Sequence, residues 1–190
     1  MLKKEDLLEV LDEINVDEKI QLNDIPEIDL YMDQVIQLFE SKLSPLKRNA
    51  EDKVLTKTMI NNYAKAKLLM SVQNKKYTKE HLILMSLIYD FKGTISINDI
   101  KLVLDNIVNK FESNEEYDLR RLYDVYLELC KEDSAEFKKS FTKRLDKLGT
   151  EENRDYEEKL LLIASMISMS NMYRRMGELL IDKFFGKEDK

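Results

Sequence analysis

Thr56-Lys57-Thr58-Met59-Ile60-Asn61-Asn62-Tyr63-Ala64-Lys65-Ala66-Lys67-Leu68-Leu69 reads as one short helix with two unlike faces. Thr56 is a good N-cap, because its hydroxyl can accept from a backbone N–H of the first turn. Met59, Ile60 and Tyr63 fall inward, while Lys57, Thr58, Asn61, Asn62 and Lys65 supply the polar, cationic remainder. Asparagine can pair with the N6/N7 edge of adenine and threonine can meet a thymine methyl, so such a face suits duplex DNA. Just beyond it, Lys75, Lys76 and Tyr77 follow a polar turn around Asn74. Cations in a tight turn suit phosphate clamping, which positions a protein without specifying sequence. Lys47 and Arg48, in the loop before Thr56, are placed to grip flanking backbone.

Helices are expected on both sides of this stretch. Leu7, Leu8, Leu11 and Ile14 give an amphipathic segment over 3–14, and Pro26 interrupts any continuation. Asp29 is an N-cap candidate for a helix to about Lys42, with Tyr31, Val35, Leu38 and Phe39 inward. Thr78 opens a helix carrying Leu84, Leu87, Ile88 and Phe91, with Gly93 at its stop. Ser96 and Asp99 form a capping box for the next one, which carries Ile97, Ile100, Val103, Leu104, Ile107, Val108 and Phe111 inward. Three more follow, with seams at Leu119/Leu122/Tyr126/Leu129, at Phe137/Phe141/Leu145, and from Tyr156 through Phe185, Gly149 separating the last two.

The order of parts over residues 28–104 resembles the winged helix-turn-helix of mercury-resistance-regulator (MerR) type transcription factors. Thr56–Leu69 runs parallel to that family's recognition helix, and Lys75-Lys76-Tyr77-Thr78-Lys79-Glu80 is similar to its basic-aromatic wing. Gly93-Thr94-Ile95-Ser96-Ile97-Asn98-Asp99-Ile100-Lys101 resembles its turn into the following helix. The resemblance implies duplex DNA as the partner. Three departures stand out: Asn61 occupies a position that is normally Arg, Lys67 one that is normally Gly, where lysine takes a left-handed C-cap only with strain, and the family's long dimerising helix directly after the winged domain is not evident in the sequence. The chain also resembles a family of uncharacterised bacterial proteins catalogued as a domain of unknown function.

Composition bounds the alternatives. The chain is 43% apolar and 36% charged, with only 4 Gly and 2 Pro, too few for the turns of an all-β or βαβ fold. The fold class expected is all-α, a winged helix-turn-helix followed by a helical C-terminal bundle. A single cysteine, Cys130, permits no internal disulfide, and the N-terminus resembles no secretory signal, which fits a cytoplasmic protein. The apolar stretch Leu160 to Met172 is too short for a membrane span. An enzyme is not expected. His81 is the one histidine, placed to be a surface or cap residue without a metal or triad partner, and no Gly-rich phosphate loop exists. No cofactor or metal is implied.

A net charge of −6 argues against nucleic acid until it is resolved by segment. Residues 1–40 carry −9, residues 42–81 carry +7, and residues 82–190 carry −4. Because salt screens exposed charges beyond roughly 8 Å, a local basic face can act under a negative total. The sequence divides into an acidic arm (1–24), a winged domain (25–112) and a helical dimerisation or sensing domain (113–190). Leu160 to Met172 is apolar around most of its circumference, which calls either for burial as a core helix or for a second copy of the chain. A homodimer through the C-terminal helices suits paired DNA half-sites. No feature identifies a small-molecule effector. The rival reading is a protein-interaction module whose helix-turn-helix no longer binds DNA. In that case the acidic first 40 residues dock on a basic partner, or else they cover the chain's own basic face.

Overall fold

A computed structural model describes residues 4–148 and 155–186, and the chain is mainly helical there. The elements are α1 (Lys4–Glu13), β1 (Leu30–Tyr31), α2 (Met32–Leu43), α3 (Lys57–Lys65), β2 (Lys76–Tyr77), α4 (Lys79–Phe91), α5 (Ile97–Glu112), α6 (Leu119–Leu148) and α7 (Asp155–Phe185). The break expected at Gly149 lies outside the described residues. No helix among the described residues is long and apolar enough to cross a membrane.

Most of the core gathers around α4, in which every residue from His81 to Ile88 is buried. A helix covered on all sides must be apolar on all sides, and the run Leu82-Ile83-Leu84-Met85 meets that requirement. Val35 and Phe39 of α2, Ile60 and Tyr63 of α3, Ile100 and Leu104 of α5 and Tyr123 of α6 pack into the same cluster. A second, smaller cluster lies at the far end, where Leu11 of α1 meets Phe141 and Leu145 of α6 and Leu162 of α7.

Several expectations are revised. The two helices expected between Leu119 and Leu145 are one 30-residue helix, because nothing in Lys131-Glu132-Asp133-Ser134-Ala135-Glu136 breaks a helix. Its inward seam runs through Leu119, Tyr123 and Ser134, leaving Leu122 and Leu129 exposed. Tyr31, not Asp29, is the N-cap of α2, since Leu30 and Tyr31 are held in β1 by antiparallel pairing with β2. Tyr31 is therefore exposed and not part of the apolar face of α2, and Ile97, the first residue of α5, is exposed too, because only the following turns of that helix meet the core.

The acidic first 40 residues divide: Asp24, Glu27, Asp33 and Glu40 pair with cations of the basic segment, whereas α1 lies elsewhere. α1 packs through Leu7, Leu8 and Leu11 onto α6 and α7, held there by apolar contact. The burial of α7 as a core helix is not observed either. Only Leu162 and Ile181 of its apolar side chains are buried, and α4 occupies the centre instead.

One buried polar clamp joins the segment before β1 to α4 and α6. The Tyr123 hydroxyl donates to the Ile20 carbonyl (2.7 Å) and shares a 2.8 Å hydrogen bond with Ser86 Oγ. Beside it, Tyr126 donates to Asp90 (2.7 Å), which also accepts from Lys19 (2.7 Å). Burial pushes both tyrosine hydroxyls well above their ordinary pKa, so both stay protonated donors. Cys130 is half-buried further along the same helix.

Candidate nucleic-acid interface

Helix α3 starts and stops on backbone geometry written in its sequence. Thr56 Oγ1 accepts from Met59 N–H at 3.1 Å, the expected N-cap. At the other end Lys67 has φ 58°, Leu68 N–H reaches the Tyr63 carbonyl (3.0 Å) and Lys67 N–H reaches that of Ala64 (3.0 Å). That pair of bonds is a Schellman motif with lysine in the left-handed position. Ile60 and Tyr63 are buried and Met59 half-buried, so Thr58, Asn61, Asn62 and Lys65 form one exposed stripe at i, i+3, i+4 and i+7.

The turn that follows is tight. Lys76 N–H bonds the Gln73 carbonyl at 2.9 Å, and Asn74 and Lys75 between them have φ 52° and 60°. Two positive φ values inside a two-residue connection are those of a type I′ turn. β2 then pairs with β1, Tyr31 opposite Lys76, and the Lys76 ammonium sits 5.4 Å from the centre of the Tyr31 ring.

Among the predicted contact residues, the structure separates those presented to solvent from those already engaged. Arg48, Thr58, Asn61, Asn62, Lys65 and Lys75 are exposed, and Lys76 is half-buried against Tyr31. Tyr77 is 6% exposed and packs edge-on against His81, so it supports the turn from beneath and offers no ring to a ligand. Lys47 is tied to Glu40, and Lys57 to Asp33 at 2.7 Å on the surface.

Those two pairs belong to a wider pattern. Of the 10 basic side chains in residues 42–81, Lys42, Lys47, Lys57 and Lys79 are held by Asp24, Glu40, Asp33 and Glu27. Arg48, Lys53, Lys65, Lys67, Lys75 and Lys76 have no ion pair among the described residues. The acidic stretch before α3 thus neutralises part of the basic segment, and six cations remain. Lys47 and Lys79 hold Glu40 and Glu27 below the ordinary carboxylate range. Sequence reasoning missed Tyr31, which no two-residue strand signals, and Lys67, whose only signal was a cation at a glycine position.

His81 locks this region from behind. Thr78 N–H donates to its Nδ1 (3.2 Å), which fixes the neutral tautomer with Nε2–H facing the Met70 carbonyl (3.3 Å). It is the capping residue anticipated, but buried, and burial holds its pKa below the ordinary value. A depressed histidine contributes stability that is present above its unfolded pKa, near 6.5, and is lost as pH falls through the folded value. The melting temperature is therefore expected to drop as pH falls below about 6.5, and His81→Gln to show a smaller drop by calorimetry over the same range. An equal drop in the variant assigns the loss to other groups.

A family model described as a domain of unknown function (DUF1836) matches residues 20–126. The matched span starts at Ile20 and ends three residues past Tyr123, the two residues joined by the buried clamp, and it contains the whole larger cluster. No curated protein and no solved structure matches the chain.

Proposed function

We propose that this chain, which belongs to the DUF1836 family, is a non-catalytic duplex-DNA-binding regulator of MerR-like winged helix-turn-helix type. In this reading α2 and α3 are the helix-turn-helix, the 73–77 turn is the wing, and the face Thr58, Asn61, Asn62 and Lys65 enters the major groove. The observation that carries it is the segregation of charge: residues 42–81 carry +7 in a chain of net charge −6, and Arg48, Lys65, Lys67 and Lys75 stand exposed on and around α3 with no ion pair among the described residues. A solvated surface has no need to gather an excess of cations next to a polar helix face, whereas phosphate binding requires it.

The test is fluorescence anisotropy on random-sequence duplex DNA. With about six phosphate contacts, affinity is expected to fall on the order of a thousandfold between about 50 and 200 mM salt. A chain that ignores DNA at low salt is instead the protein-interaction module of the rival reading.

Two copies are needed to read paired half-sites, and α7 offers the surface. Ile163 and Ile167 are 58% and 56% exposed, with Leu160, Leu161, Met172 and Met176 also open to solvent. An apolar face of that extent on a lone chain is unfavourable, so it belongs against a second copy. Light scattering is expected to give twice the 22.5 kDa chain mass for the wild type and a single chain for Ile163→Glu/Ile167→Glu. A wild-type monomer removes the pairing from the reading.

A further inference from the structure

The chain obeys a simple rule for left-handed backbone at three places and breaks it at two. Five described non-glycine residues have φ between 51° and 60°: Asn15, Lys67, Asn74, Lys75 and Asn114. Asparagine tolerates that conformation, because its short polar side chain bonds locally, and glycine tolerates it without strain. Lysine has neither advantage. Asn114 ends α5 in the same Schellman geometry that Lys67 gives α3, with Glu115 N–H on the Lys110 carbonyl and Asn114 N–H on that of Phe111. The fold therefore accepts the favourable residue in an equivalent turn.

Both exceptions are exposed, both belong to the six cations without an ion pair, and they stand at the end of α3 and at the tip of the next turn. No hydrogen bond or ion pair within the described chain uses either ammonium, so neither charge is retained for an internal partner. We infer that Lys67 is an additional phosphate-anchoring residue, acting with Lys75 to bracket α3 on the nucleic-acid backbone, and that both are held in strained conformations for their charge. This rests on the DNA-binding reading above. Strain at such positions persists where function uses it.

The test separates strain from charge in the full-length protein. Lys67→Gly and Lys75→Gly are each expected to raise Tm by about 2–4 °C, since glycine relieves the left-handed strain. The same variants are expected to bind random-sequence duplex several-fold more weakly near 100 mM salt, with the log–log salt slope shallower by about 1 each. Asn114→Gly is the control, with binding unchanged. If the glycine variants melt higher and keep wild-type affinity and slope, the anchoring role is overturned while DNA binding stands. If Lys67→Gly melts lower, the side chain serves the fold and the inference also falls. If the wild type itself fails to bind duplex at low salt, both the reading and the inference are lost together.

Discussion

Exchanging Lys75 and Lys76 for glutamate is expected to weaken duplex binding by about a hundredfold or more at about 50 mM salt, while the fold survives. Each reversal removes a cation that releases counterions from DNA and puts in its place an anion that the phosphates repel. Lys75 is at the tip of the type I′ turn and Lys76 in the strand behind it, so neither side chain carries the core. The structural loss is confined to the contact of Lys76 with Tyr31, about 0.5–1 kcal/mol at an exposed site. Anisotropy at two salt concentrations, with circular dichroism melts of both proteins, checks the separation. Unchanged affinity in the double variant would remove the 73–77 turn from the interface and leave the α3 stripe alone to account for binding.

Tyr123→Ala is the substitution expected to damage the fold most. The ring is fully buried between α4 and α6, it stacks on Tyr126 with ring centres 5.9 Å apart, and its hydroxyl holds both Ser86 and the Ile20 carbonyl. Removing a buried aromatic ring costs about 3–5 kcal/mol, a large part of the roughly 5–15 kcal/mol that stabilises a typical domain. At about 2–4 °C per kcal/mol, Tm falls by roughly 6–20 °C. Tyr123→Phe keeps the ring but leaves Ser86 and Ile20 without that partner, at about 1–3 kcal/mol. Urea unfolding of the three proteins orders them. A phenylalanine variant as stable as the wild type would show that the ring alone holds the segment around Ile20 to the core.

Where local chemistry sufficed, the sequence was legible. Thr56, Thr78 and Ser96 cap the helices they were assigned, because a cap needs only its own backbone two or three residues on. Where two answers shared one local pattern, it was not. α6 carries more than one apolar stripe, and neither Leu122 nor Tyr123 records in its residue type which stripe meets α4. Likewise Leu160 to Met172 is apolar all round whether it is buried or open, and its exposure on α7 depends on the space already filled by α4.

The candidate interface divides along the same line. Helix class, the limits of α3, the turn at Asn74 and the excess of cations in residues 42–81 all follow from residue order, since propensity, capping and segment charge are properties of short stretches. Which cations are free does not follow from it. Lys57 and Lys65 lie on one short helix and look alike in the sequence, yet one is paired with Asp33 and the other has no ion pair among the described residues. That distinction requires α2 to lie beside α3. It comes from packing Val35, Phe39, Ile60 and Tyr63 into one core, and apolar burial of that kind joins residues too far apart in the chain for a local pattern to record.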